Sequence, residues 1–187
     1  MADMKFFDRL RKELEKKEEV RECVIISSRP VIKSSKQAIY AIHGNELKKA
    51  KKLLDKAGKD IETIKKLQRP EINAFSAALQ EYAEAMTYYY FVKEDRLIDN
   101  EEINVDAENY LLGVCDLTGE LGRKAVFSVV DNKAEEVKKI QEFVSQIYNE
   151  FLKFSFRNSE LRKKSDSIKW NLKKIEEIMY DLKIREK

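Results

Sequence analysis

Two pairs of acids are spaced for joint chemistry. Glu81 and Glu84 stand three residues apart, and Asp116 and Glu120 four apart. Residues at these spacings project from one side of a helix. Each pair lies in a stretch otherwise empty of charge. With 38% of the chain charged, a 21-residue window should hold roughly eight charged residues, against about five in an average protein. Ile72 to Val92 holds only Glu81 and Glu84, and Asn109 to Gly122 holds only Asp116 and Glu120. Both windows read as buried helices. Buried carboxylates without partners are costly and raise one another's pKa. No basic residue lies inside either window. A hard divalent cation, Mg²⁺ or Mn²⁺, held by carboxylate oxygens and water would relieve that repulsion. Such an ion could also activate water for attack on a phosphate. A lone ExxE or DxxxE pair is most often a solvated face. On spacing alone, one shared metal site and two unrelated faces both remain open, because spacing does not make the two helices neighbours.

A second set is basic. Arg29, Lys33, Lys36, Tyr40 and His43 recur at i, i+4, i+7, i+11 and i+14, which is one helical face. Three cations, an aromatic ring and the chain's one histidine could hold phosphates and stack a base. Ser28, Ser34 and Ser35 could add hydroxyl donors. The competing reading is a solvated face with Tyr40 and His43 packed inward. Arg123 lies three residues beyond Glu120, placed either to bind a phosphate or to form a salt bridge to the acids. Lys49-Lys51-Lys52 and Arg162-Lys163-Lys164 read as ordinary solvated runs.

These side chains must be positioned by long helices. Five Gly and two Pro in 187 residues leave few turns. Helical patterns run over 3–28 and 31–43, with Pro30 as a kink or a new start. Gly44-Asn45 is a stop and cap. Further helices follow over 46–68, from Pro70 through 72–92, over 107–130 capped by Asp106, over about 133–154, and from Asn158-Ser159 almost to the end. Residues 93–104 form a polar connection with room for one helical turn. No strand pattern or internal repeat is present. The reading is all-α, one domain over residues 1–187.

Net charge is +3, from 37 basic and 34 acidic residues, so any polyanion site must come from local clustering. Cys23 and Cys115 read as buried thiols in a reducing compartment. One histidine rules out multi-histidine metal sites, and a di-iron bundle needs ExxH pairs that are missing. The start of the chain carries no apolar signal core and no run is long enough to span a membrane. A cytoplasmic protein without membrane contact is expected.

The segment Tyr110-Leu-Leu-Gly-Val-Cys-Asp-Leu-Thr-Gly-Glu-Leu121 resembles the signature helix of the translin family, in the form found in its catalytic branch, translin-associated factor X. Leu79-Gln-Glu-Tyr-Ala-Glu-Ala85 resembles the same branch. Ser28-Arg29, Ser35-Lys36, Ile39 and His43 match the family's first helix, and Leu161-Arg-Lys-Lys and Ile175 to Arg185 its last. The resemblance runs from about residue 20 to the end. It implies a compact bundle of about six to seven helices and a hollow homo-oligomeric shell, roughly an octamer, with RNA inside. It also implies Mg²⁺-dependent endonucleolytic cleavage of single-stranded RNA. Carried over position by position, the metal-holding carboxylates fall on Glu81, Glu84, Asp116 and Glu120. Arg29, Lys33, Lys36, Tyr40, His43 and Arg123 are the RNA-binding candidates, with His43 a candidate proton donor. Single-stranded DNA is a weaker expectation, since the basic stretches of translin itself have no clear match. The alternatives are a non-catalytic single-strand binder and an all-helical nucleotide pyrophosphohydrolase.

Overall fold

Asparagine and aspartate, rather than glycine, take the left-handed turn positions among the described residues. Asn45, Asp95, Asn104 and Asn132 take the left-handed conformation (φ 59°, 57°, 53° and 57°), and no described glycine does. Their short polar side chains tolerate that region better than other residues with a Cβ. The stop expected at Gly44-Asn45 is therefore made by Asn45. The computed structural model describes residues 6–67, 73–157 and 160–185. Over these it contains six helices: α1 Phe6–His43, α2 Leu47–Lys65, α3 Asn73–Glu94, α4 Ala107–Val130, α5 Ala134–Phe151 and α6 Glu160–Arg185. No strand occurs among the described residues. The starts expected at Pro70 and at Asn158-Ser159 lie outside them. Asp106 caps α4 as expected, its side chain accepting from the Asn109 amide. Of the 93–104 connection, residues 93 and 94 complete α3 and the rest forms turns, with Ile98, Ile103 and the adjacent Val105 anchored in the core.

The C-terminal half of α1 packs on α2 and α3, α3 packs along α4, and α4 lies against α5 and α6, which also touch each other. α3 is central and apolar on nearly every side, with Tyr82 through Tyr89 buried without a break. That is the structural meaning of its charge-poor window. No helix among the described residues is long and apolar enough to cross a membrane.

Helix α1 corrects three expectations. Pro30 does not restart it, because α1 runs unbroken from Phe6 to His43 with Pro30 inside. Pro30 and Ile26 are both exposed, so the Ile26 carbonyl that proline cannot pair looks out toward solvent. Val24, Val31 and Ala38, fully buried on the opposite face, hold the helix to its neighbours. Ser28, Ser34 and Ser35 are buried rather than offered to a ligand. Ser28 donates to the Val24 carbonyl at 2.8 Å, and the Ser35 hydroxyl has no partner. Cys23 is exposed while Cys115 is fully buried. The reason is register: no residue from 6 to 23 is buried, and the helix enters the core only at Val24.

Candidate functional site

The site exists because α3 and α4 approach unusually closely. At Gly113 an added Cβ would lie 2.7 Å from the Gln80 carbonyl oxygen, 2.8 Å from Ala83 Cβ and 2.9 Å from the Glu84 amide nitrogen. Only glycine fits such a crossing without displacing backbone. Asp116 and Glu120 follow Gly113 by three and seven residues on α4, and Glu81 and Glu84 flank the crossing on α3. All four acids therefore face the same cleft. Glu84 is its buried member, 9% exposed, and its carboxyl is pushed up to about 8 by burial first and then by the charges of Asp116, Glu81 and Glu120.

The neighbouring helices supply cations that neither acidic window contains. Lys36 of α1 reaches Glu81 at 3.2 Å. Lys164 of α6 pairs with Asp116 at 2.5 Å and lies 3.5 Å from Gln80 Oε1. His43 Nε2 is 2.5 Å from Glu120 Oε2, and Arg123 lies 3.9 Å from the same oxygen. Lys164 is thus no ordinary solvated lysine, contrary to the reading of its Arg-Lys-Lys run. Nothing local distinguishes it, because its partner lies on another helix. Among the described residues the Glu84 carboxyl makes no hydrogen bond or ion pair.

The donor chemistry suits a hard cation: four carboxylates on two helices, one of them buried and uncompensated. As the side chains stand, no three His, Cys, Asp or Glu groups among the described residues converge tightly enough to hold one ion. Lys36 and Lys164 instead pair with Glu81 and Asp116. A cation would have to take over both carboxylates, so the residues fit a metal by type and by facing, with the outer acids currently committed to ammonium groups.

Beside the acids runs the basic face of α1. Arg29, Lys33, Lys36 and Tyr40 are exposed in a row, and Arg29 and Lys33 make no ion pair among the described residues. Tyr40 is 66% exposed, which removes the reading that packed it inward. The Arg123 guanidinium lies 5.4 Å from the Tyr40 ring centre and 5.7 Å from that of Phe127, which joins the strip to the acid cleft. His43 departs from its neighbours: its side chain is only 7% exposed and turned toward Glu120. Sequence reading missed Tyr88, whose hydroxyl lies 3.1 Å from His43 Nδ1. The signal was there, since Glu81, Glu84 and Tyr88 continue one i, i+3, i+7 face.

The family profile described as Translin matches residues 19–186. The chain belongs to the translin family. Chicken translin is 40% identical over 82 residues, 44% of this chain and 36% of that protein, so the chain spans little more than a third of that translin. Translin-associated protein X of Rattus norvegicus is 27% identical over 228 residues, covering 96% of this chain and 78% of that protein. Among solved structures, the AfC3PO–duplex RNA complex superposes with a TM-score of 0.87 at 26% identity, covering 96% of this chain and 97% of that one. The six-helix bundle described above is therefore a translin fold.

Proposed function

We propose that this translin-family chain is a metal-dependent endoribonuclease that binds single-stranded RNA along α1 and cleaves it at the α3–α4 acid cleft. The observation that carries the reading is Glu84, a buried carboxyl with no partner among the described residues, facing three further acids. Glu81, Glu84, Asp116 and Glu120 would hold one or two Mg²⁺ or Mn²⁺ ions, which supply Lewis-acid polarisation of the phosphate and an activated water. Arg29 and Lys33, exposed and without ion pairs among the described residues, engage backbone phosphates. Tyr40 offers an open ring face for an unpaired base. Arg123 sets its charge where the basic strip meets the acids and holds the phosphate there. RNA as the polymer is supported by the duplex RNA held by the similar AfC3PO. The exposed Tyr40 ring favours unpaired nucleotides, because bases in a duplex are already stacked.

Assembly into a closed homo-oligomer of about eight copies belongs to the same proposal. Phe6, Phe7, Leu10 and Leu14 on the unburied half of α1, and Val126, Val130 and Trp170 on α4 and α6, are exposed apolar side chains that such a shell would cover.

The second reading is a translin-like RNA binder without catalysis. It is favoured by the Lys36–Glu81 and Lys164–Asp116 pairs, which already neutralise two of the four acids. Incubating the purified protein with end-labelled single-stranded RNA, in Mg²⁺ or in EDTA, separates the two readings. Internal cleavage in Mg²⁺ alone is expected, with nucleoside triphosphates left intact. Binding with no cleavage in either condition would leave the second reading standing. Light scattering on the eluted protein gives the copy number.

A further inference from the structure

Tyr88 of α3, His43 of α1 and Glu120 of α4 form a chain of contacts inside the bundle. Tyr88 is fully buried, with no solvent exposure. Its hydroxyl has one hydrogen-bond partner among the described residues, His43 Nδ1 at 3.1 Å. On the other side of the imidazole, Nε2 lies 2.5 Å from Glu120 Oε2. The ring is wedged between aromatic faces, 5.1 Å from the Tyr88 ring centre and 5.9 Å from that of Phe127.

Hydrogen-bond accounting selects one arrangement. A buried hydroxyl must place its proton on an acceptor or forfeit a hydrogen bond, and Nδ1 is the acceptor present. Burial pushes the Tyr88 hydroxyl well above the ordinary phenol range, with the Glu120 charge adding to the effect, so this group keeps its proton. Nδ1 is then bare, and the single ring proton sits on Nε2, where the Glu120 carboxylate accepts it. The opposite tautomer would turn a lone pair against the carboxylate. A doubly protonated ring would leave the Tyr88 proton buried without an acceptor.

We propose that Tyr88 and His43 are positioning residues for Glu120: Tyr88 fixes His43 as the Nε2–H tautomer, and His43 holds Glu120 by donating to Oε2. This assigns both ring nitrogens and, with the side chain 7% exposed, removes His43 from phosphate binding and from protonation of a leaving oxygen. It also sets Glu120 apart from Glu81 and Asp116. Those acids pair directly with ammonium groups, whereas Glu120 meets an imidazole at 2.5 Å, with the Arg123 guanidinium farther off at 3.9 Å. Oε1 of Glu120 makes no hydrogen bond among the described residues. The catalytic consequence rests on the metal-dependent reading above, while the hydrogen-bond order does not.

His43 is the only histidine in the chain, so ¹⁵N-histidine labelling gives one imidazole to read by NMR in metal-free protein. A bare Nδ1 and a protonated Nε2 are expected. A ring protonated at Nδ1, alone or together with Nε2, overturns the proposal. In Tyr88→Phe the single-tautomer signature should be lost, and an unchanged spectrum would also overturn it. Where RNA cleavage is observed, His43→Ala should lower the rate and the apparent Mg²⁺ affinity by about tenfold to a hundredfold, the usual effect of losing a group that orients a ligand. His43→Gln, which keeps a neutral donor for Glu120, should recover most of that loss. If His43→Gln is as impaired as His43→Ala, His43 acts on substrate and the proposal fails. If Tyr88→Phe does not fold, the parent spectrum and the Gln–Ala comparison still decide it. If the protein cleaves no RNA, the nuclease reading falls and the parent spectrum alone judges the tautomer.

Discussion

Asp116 and Glu120 reach Glu84 across a helix contact with no room for a Cβ at Gly113, whereas Arg29, Lys33 and Tyr40 have in common only one exposed face of α1. The acid cleft needs four helices: α3 and α4 for the carboxylates, α1 and α6 for Lys36, His43 and Lys164. The basic strip needs one helix and solvent. The cleft is a matter of fixed distance, where small displacements change the chemistry. The strip is a matter of charge density, where each cation contributes a share. Damage to the cleft should therefore abolish cleavage and spare binding, and damage to the strip should weaken binding by degrees and spare the cleavage step.

The largest effect is expected at Asp116. Asp116→Ala should reduce RNA cleavage by about a thousandfold, the scale of several kcal/mol of lost metal-linked stabilisation, while filter binding of the same RNA persists. A variant that cleaves at the parent rate would sink the assignment of the cleft.

Glu84→Gln sharpens the contrast through pH. The Glu84 carboxyl stands at about 8 in the fold against an ordinary 4.5. Its protonated form is thus favoured by folding. The stability it lends is complete below pH 4.5, declines as pH rises, and is gone above about 8, where the buried charge opposes the fold by a few kcal/mol. Without metal, Glu84→Gln should match the parent near pH 4.5 and melt higher at pH 8 to 9. Mg²⁺ should raise the parent melting temperature at pH 8 and leave the variant's nearly unchanged. A gap between the two proteins that does not vary with pH would contradict the buried-acid account.

Gly113→Ala tests the contact itself. Overpacking should cost about 1–3 kcal/mol and lower Tm by roughly 2–4 °C per kcal/mol in a chain of this size, with cleavage falling alongside. Gly122 on the same helix is the control. A Cβ there meets only Ile175 Cγ1 at 4.0 Å, so Gly122→Ala should be neutral or stabilising by up to about 1 kcal/mol. Calorimetry on the pair decides whether the close approach is particular to position 113.

The smallest effect is expected on the strip. Lys33→Ala should weaken RNA binding severalfold and reduce the slope of log K against log salt by about 0.7, the share of one single-strand phosphate contact. Cleavage of bound RNA should not change. A loss confined to the cleavage step would mean that Lys33 belongs to the cleft.

What could be read in the sequence follows the same division. The acids were legible because burial leaves a compositional trace: the stretches Ile72 to Val92 and Asn109 to Gly122 hold no other charge. The Asp106 cap was legible because caps are local. Lys164 was not, since a lysine in Arg-Lys-Lys looks the same whether its partner is water or Asp116 on another helix. The new start offered at Pro30 did not form, because local propensity yields to tertiary packing once Val24, Val31 and Ala38 are buried around it. The buried serines and the exposed Cys23 were misjudged for a shared reason, because the depth at which α1 enters the core is set by α2 and α3.

The two cysteines give this chain a built-in chemical handle. Cys115 is sealed in the core and its thiol is pushed up to about 12, mainly by burial and next by Asp116, while Cys23 stands in the open one residue before α1 meets its neighbours. Thiolate is the form that alkylating reagents capture. A maleimide dye should therefore load one site per folded chain, with no engineered residue, and mark the place where the free arm of α1 leaves the bundle. Fluorescence from that position would report whatever comes to rest against the arm.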